Sequence, residues 1–396
     1  MIKPMTFTLK TLSCFIASAT ILLCTFPVSA ARHPISAAKR HASAAKRHAS
    51  VAKRHASAAK RPASSARSAG VVELQLQVLL DRAGFSPGEI DGAGGRNSRK
   101  ALEAFLASHK LDSSLASGAQ SRQALRKALG GDAVEPIVPY TISQEDAAGP
   151  FAETIPRDMT EKSKLPGLYY TSVLEELGEK FHSSAALLKR LNPGARFIAG
   201  ESIRVPNVLI AEPAPPGDAK AAGPQSKPAP KPNDAKAAGP RRKPESNSGQ
   251  NGKPASGGTA TIKVVVSKTT SALTVYGNEG KVIFYAPVTS GSEHDPLPLG
   301  NWVVTQVRRK PVFNYNPDLF WDAEPASTKA QIPAGPNNPV GVVWIEISKP
   351  HYGIHGSPEP GRIGYSESHG CVRLTNWDAL RLADLVKEGT PVVFEE

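Results

Sequence analysis

Two stretches of this chain cannot bury a core, and they dictate how the rest can fold. Residues 31–69 repeat every seven positions, as in His41-Ala-Ser-Ala-Ala-Lys-Arg47, and hold ten Lys or Arg with no acid. Residues 209–258 are dominated by Pro, Ala, Gly and Lys, and Asp-Ala-Lys-Ala-Ala-Gly-Pro occurs at 218–224 and again at 234–240. Neither stretch has the large apolar side chains that would offset the entropy of ordering it. The chain is therefore a string of modules rather than one continuous domain, with folded material expected at 70–208 and 259–396.

The net charge of +13 belongs to the tail, since no acidic residue precedes Glu73. A period of seven in an Ala- and Lys-rich segment keeps each Lys-Arg pair near one helical face. Two readings stand: a solvated, self-repelling spacer, or electrostatic attachment to an anionic envelope surface. No nucleic acid is expected as a partner, because the compartment does not fit it. Residues 1–30 have the pattern of a secretory signal: basic Lys3 and Lys10, an apolar run from Leu12 to Pro27, and small residues at Val28-Ser29-Ala30. An uncleaved anchor is the alternative. Lipidation at Cys24 is disfavoured by Leu23 before it. The expected location is exported, in a bacterial periplasm or cell envelope.

Cys14 and Cys24 lie in that signal, so a mature chain keeps Cys371 alone. One thiol cannot form an internal disulfide. It is buried and inert, paired between chains, or a nucleophile. Its context favours the last: Ser368-His369-Gly370-Cys371-Val372-Arg373, with His355-Gly356 sixteen residues upstream of the cysteine. An imidazole can take the thiol proton and return it to a leaving amine. Glycines 370 and 356 let backbone approach a substrate. Backbone N–H groups around Gly370 and Cys371 suit an acyl oxyanion, and Arg373 and Arg362 suit a substrate carboxylate. Tyr352 is close enough in sequence to line the same cleft, although packing is its commoner role, as it is for Trp344. His294 and His351 are expected at the surface or in structural roles. Zinc binding by His355, His369 and Cys371 lacks an evident fourth ligand.

From residue 259 the pattern is β. Strands are expected at 261–266, 272–276, 281–288, 301–307, 340–347 and 391–394, with a hairpin turn at Gly277-Asn278-Glu279-Gly280 and one helix from Asn376 to Glu388. The site motifs fall on loops or strand ends, where catalytic groups commonly sit.

Three resemblances follow from these residues. Residues 259–396, with His355-Gly356 and the Ser-His-Gly-Cys-Val-Arg motif, resemble the L,D-transpeptidase catalytic domain of the YkuD type; Ile332-Pro-Ala-Gly-Pro-Asn-Asn-Pro339 also fits. That resemblance implies a mainly-β fold, Cys371 as nucleophile, His355 as base, and His369, Ser368 and Gly370 shaping the site. Arg373, Gly356, Ser357 and Tyr352 would be on the substrate side. The family varies at position 373, which leaves Arg373 open as a clamp. The implied substrate is the tetrapeptide stem of peptidoglycan, with release of D-Ala and transfer to an amine to form a 3→3 cross-link. No metal and no organic cofactor is implied. Residues 70–132 resemble a small α-helical peptidoglycan-binding type 1 domain: an apolar helix including Val72, Leu74, Leu76, Leu79 and Leu80, then Gly84-Phe85, Asp91-Gly92, and a helix capped by Asn97 or Ser98. Residues 168–208 resemble an α+β LysM module, with a strand at Tyr170-Thr171-Ser172, two helices, Asn192-Pro193 and a final strand near Val205; its Leu174-Glu175-Glu176-Leu177 departs from the usual Gly-Asp-Thr-Leu. Residues 133–167 are read as a connector. The linker gives a tethered catalytic domain reach over many acceptor sites. Two other functions stand beside the transpeptidase: a wall-anchoring scaffold, and a hydrolase or L,D-carboxypeptidase in which water is the acceptor.

Overall fold

The computed structural model describes residues 63–116, 119–132, 134–208, 262–324 and 326–396. The expected signal segment, residues 31–62 of the expected 31–69 tail and the expected 209–258 linker lie outside the described residues; residues 63–69 are not tail but the start of the first helix. Among the described residues no helix is long and apolar enough to cross a membrane.

Three helices come first: α1 (Ala63–Arg82), α2 (Arg96–Ser108) and α3 (Ala119–Ala128). Leu74, Val78, Leu79 and Leu80 are buried on α1, whereas Val72 is exposed, contrary to its expected place in the apolar stripe. Gln77, also buried, is the organising polar group. Its amide donates to Asp91 Oδ1, Ala93 O and Ser98 Oγ and its oxygen accepts from Gly92 N, which pins the 84–92 loop to the helix. The expected capping of α2 by Asn97 or Ser98 does not occur. Gly95 is the N-cap without a side-chain bond, and Asn97 instead donates to Ile363 O at 2.9 Å. An interdomain bond has taken the side chain that local chemistry would spend on the cap.

Next come β1 (Ile137–Thr141), α4 (Gln144–Ala148), α5 (Met159–Ser163), α6 (Val173–Lys180), α7 (Ala185–Leu191) and β2 (Ser202–Pro206). The expected helix, helix, strand order is present as α6, α7 and β2, but the strand that pairs with β2 is not at Tyr170–Ser172. It is β1, some thirty residues upstream, antiparallel to β2 with Tyr140 opposite Ile203. Ser172 instead N-caps α6 by accepting from Glu175 N at 3.2 Å, so its side chain starts the helix that follows. The module therefore takes in part of the connector. Its core joins Leu177, Phe181, Leu187, Leu188 and Val205 with Ile90 from the helical module.

The C-terminal domain contains β3 (Lys263–Ser267), β4 (Ala272–Tyr276), β5 (Val282–Pro287), β6 (Thr289–Ser290), β7 (Gly300–Arg309), β8 (Phe313–Tyr315), β9 (Ala330–Ile332), β10 (Val343–Ile347), β11 (Gly353–His355), β12 (Val372–Arg373), α8 (Asn376–Leu385) and β13 (Pro391–Glu395). Nine strands form one sheet in the order β5-β4-β3-β13-β7-β10-β11-β12-β6. The long β7 pairs with β13 through residues 300–303 and with β10 through residues 304–309. The two halves that meet on it bury a shared core: Val264, Leu273 and Phe284 from one side, Ile345, Ile354 and Val372 from the other, and Leu382 from α8. Each such side chain contributes about 1.5–3 kcal/mol by leaving water. The expected turn at 277–280 is present, with Glu279 (φ 58°) and Gly280 (φ 72°) both left-handed.

The expectation of a freely tethered catalytic domain is corrected by the packing: Ala63–Glu396 is one compact unit. Backbone bonds join Ser86 N to Tyr285 O (2.8 Å) and Tyr285 N to Gly84 O (2.9 Å), so the helical module adds to the β5 edge. Phe85 stacks on Tyr285. Leu168 N donates to Ala334 O (3.0 Å) and Leu168 O accepts from Asn337 N (2.9 Å). Gly335 sits between them at φ 149°, where an added Cβ would lie 2.2 Å from the Leu168 carbonyl oxygen. Gly335→Ala is expected to destabilise the fold by about 1–3 kcal/mol through that backbone clash. An unchanged thermal transition would show that the seam gives way freely.

Candidate active site

Parallel pairing of β11 with β12 sets Ile354 beside Val372 and His355 beside Arg373. Ile354 and Val372 both enter the core. Because side chains alternate along a strand, His355, Arg373 and Cys371 take the other face, toward the cleft. Two residues far apart in sequence thus become neighbours through register. The cleft has a volume of about 980 Å³ and is lined by Cys371, His355, His369, Arg373, Tyr352 and Trp344, among others.

Cys371 is half-buried. Burial pushes its thiol pKa up, partly countered by the Gly353 N–H, which hydrogen-bonds the sulfur, and by the nearby Arg373 charge. Sγ also lies 3.8 Å from His351 O. His355 is buried, and desolvation, then the Arg373 charge, hold its pKa down at about 3. Its ring is therefore neutral near pH 7. Nδ1 is 2.7 Å from Gly356 O and must donate to it, because a carbonyl can only accept. That bond fixes the tautomer and leaves Nε2 as a proton acceptor. Trp344 stacks on the imidazole at 5.4 Å and 20°, beyond the packing role its sequence suggested. The pair at rest is thiol and imidazole rather than thiolate and imidazolium. The rate of Cys371 alkylation by iodoacetamide is expected to rise with pH only above the ordinary thiol range. Arg373→Met, which removes a charge favouring the thiolate, is expected to move that midpoint higher; a lower midpoint would contradict the electrostatics.

The remaining motif residues divide by what they touch. Ser368 is buried. Its hydroxyl donates to Cys371 O at 2.6 Å and accepts from Gly291 N at 2.7 Å, so it fixes the backbone under the thiol. Gly370 has φ 91°, and a Cβ there would meet Tyr352 Cε1 at 2.5 Å. Only glycine fits both constraints. His369 Nε2 is 2.8 Å from Asp322 Oδ1, and Phe320 packs edge-on to its ring, which couples the motif to the β8–β9 hairpin. Gly356 abuts Asn376 Oδ1, and Ser357 Oγ accepts from Glu359 N. Neither is among the residues that line this cleft. Arg362 pairs with Glu359 at 3.5 Å and is likewise not among the lining residues. His294 stacks on Trp321 at 4.3 Å. Sequence reasoning did not find Asp322, Phe320, Asp295 or Met159, which line the same cleft from positions far from the motif along the chain. Among the described residues no group of three or more His, Cys, Asp or Glu is placed to hold a metal ion.

A half-buried thiol and a buried, neutral imidazole that line one cleft make a candidate thiol–imidazole site on a mainly-β domain. The family model of the L,D-transpeptidase catalytic domain (YkuD) matches residues 261–394. The chain is 31% identical over 160 residues to the putative L,D-transpeptidase YkuD of Bacillus licheniformis, covering 37% of this chain and 81% of that protein. It is 32% identical to two Escherichia coli proteins, the probable L,D-transpeptidases YbiS over 135 residues and ErfK/SrfK over 154 residues. It spans 44% and 49% of their respective lengths. The chain belongs to the YkuD family of L,D-transpeptidases.

Proposed function

We propose that this protein is a peptidoglycan L,D-transpeptidase working through Cys371, in the periplasm or cell envelope of a bacterium. The observation that carries the reading is the pairing of β11 and β12, which sets His355 and Cys371 on one face of the cleft. The thiol proton passes to His355 Nε2 as Sγ attacks the carbonyl of stem residue three. The C–N bond to D-Ala breaks, the amine leaves with the proton from the imidazolium, and a thioester remains. Backbone N–H groups near Gly370 and Cys371 hold the oxyanion. An amine of a second stem then attacks the thioester, giving a 3→3 cross-link and restoring the thiol. Separated charge on both groups is costly because burial disfavours each charged form, so proton transfer is expected to accompany attack, with the new C–S bond consuming the thiolate as it forms.

The helical module and the β1–β2 module are read as wall-binding units, and the basic tail as an attachment to an anionic envelope surface. The L,D-carboxypeptidase reading uses the same thioester with water as acceptor. Mature protein incubated with a disaccharide-tetrapeptide decides between them by product mass. A dimer lighter by one D-Ala is expected; tripeptide without dimer would move the assignment to hydrolysis, and no change with any stem type would leave a scaffold.

A further inference from the structure

The cleft has a wall from outside the catalytic domain. Arg157, Asp158 and Met159 line it, although they precede residues 261–394 of the family match by about a hundred positions. Their place is fixed by packing. Ile155, Met159, Leu165 and Leu168 form an apolar cluster with Phe313, Tyr315, Phe320, Ala330 and Ile332 of the β8–β9 hairpin. Asp158 is committed locally, N-capping α5 by accepting from Glu161 N at 2.8 Å.

Two of the cleft's other cations are already engaged. Arg308 pairs with Glu346 at 3.2 Å. Lys349 lies over the Trp302 and Tyr352 rings. Arg373, the strand neighbour of His355, has a buried Nε without a hydrogen-bond partner, but it sits beside the reacting thiol, on which it acts electrostatically, rather than on the outer wall. Arg157 is exposed, and among the described residues it has no ion pair or hydrogen bond to hold its guanidinium. A peptide that presents a scissile amide to Cys371 must run through this cleft, and its anionic groups are carboxylates. A planar guanidinium matches a carboxylate with two parallel bonds.

We infer that Arg157 is a specificity-determining residue that reads a free side-chain carboxylate on the acyl-donor peptide, and that the segment from Ile155 to Leu168 is an integral wall of the substrate cleft. This rests on the reading of the protein as an acyltransferase on peptide stems. The test compares tetrapeptide stems whose residue-three side chain carries a free carboxylate or its amide. Wild type is expected to favour the free acid in kcat/KM by about fivefold or more, the range of a partly exposed charge pair. Arg157→Ala is expected to bring that ratio near one, Arg157→Glu to invert it, and Arg157→Lys to retain most of it, with the change carried mainly by KM. A general loosening of the wall would lower both substrates alike and leave the ratio standing, which would overturn the proposal, as would a wild type indifferent to the carboxylate. Binding of both stems to Cys371→Ala by calorimetry reads the same preference without turnover. Arg157-dependent binding of the acid with no D-Ala release by wild type would therefore sink the activity reading and leave this one intact.

Discussion

Cys371→Ala is expected to lower D-Ala release from tetrapeptide stems by more than about 10³-fold, because removal of a covalent nucleophile leaves only binding and oxyanion contacts. The substitution removes one sulfur from a half-buried position, and Ser368 still holds the Cys371 carbonyl. Its thermal transition should therefore stay close to that of wild type. A variant that folds normally and retains release within tenfold would remove the thiol from the mechanism. His355→Gln offers a graded companion: its side chain can still meet Gly356 O but cannot carry the proton. It is expected to lose less than Cys371→Ala, because some thiol ionises unaided at high pH, and its deficit should shrink as pH rises.

Asp81→Ala is expected to destabilise the protein by about 3 kcal/mol, the lower range for breaking a buried ion pair. Asp81 is fully buried on α1. It accepts from Arg381 Nη2 of α8 at 2.9 Å and from His182 Nδ1 at 3.0 Å, so one carboxylate ties all three modules. His182 stacks on Trp377 of α8 at 5.1 Å. Ser86 adds a bond to Asp378 Oδ2 at 2.8 Å. Burial alone would raise the pKa of Asp81, but the charges of His182 and Arg381 hold it below the ordinary 3.8. A depressed folded value means that this stabilisation is full above about pH 4 and is lost as pH falls through the folded value. Asp378, pushed up to about 6, acts with the opposite sign: its contribution weakens as pH rises from 3.8 through 6. Chemical denaturation at pH 7 reads the Asp81 loss directly. A change below about 0.5 kcal/mol would mean that the modules do not depend on this contact. Splitting of one unfolding transition into two would show that Asp81 couples them.

The same junction explains where sequence reading stopped. The central strands near 264–266, 272–276, 343–347 and 391–394 were legible because valine-rich and alternating runs are a local signal. The short β6, β11 and β12 were not, since two or three residues form a strand only when neighbours pair with them. Asn97 shows local chemistry overridden: a good helix cap spends its amide on Ile363 O in another module. Gln77, Asp81 and Glu179 are polar residues of kinds usual on a helix surface, yet Gln77 and Asp81 are buried, and burial pushes Glu179 up to about 8. No pattern in their own helices announces this.

By itself the sequence determined the β character of the C-terminal domain and pointed to Cys371 and His355 as its candidate chemistry-bearing residues. Composition decides what can bury a core, and a thiol beside His and Gly residues is a chemical statement that needs no coordinates. Only the tertiary structure decided which residues share the cleft: the parallel register that faces His355 toward the thiol side, the removal of Gly356 and Ser357 from the lining, and the entry of Arg157 from a segment read as a mere connector. The reason is physical. Proximity across a hundred residues is settled by which apolar faces cover one another, as Met159 and Leu168 do the hairpin at Phe313 and Ile332, and that choice is made by the whole chain at once.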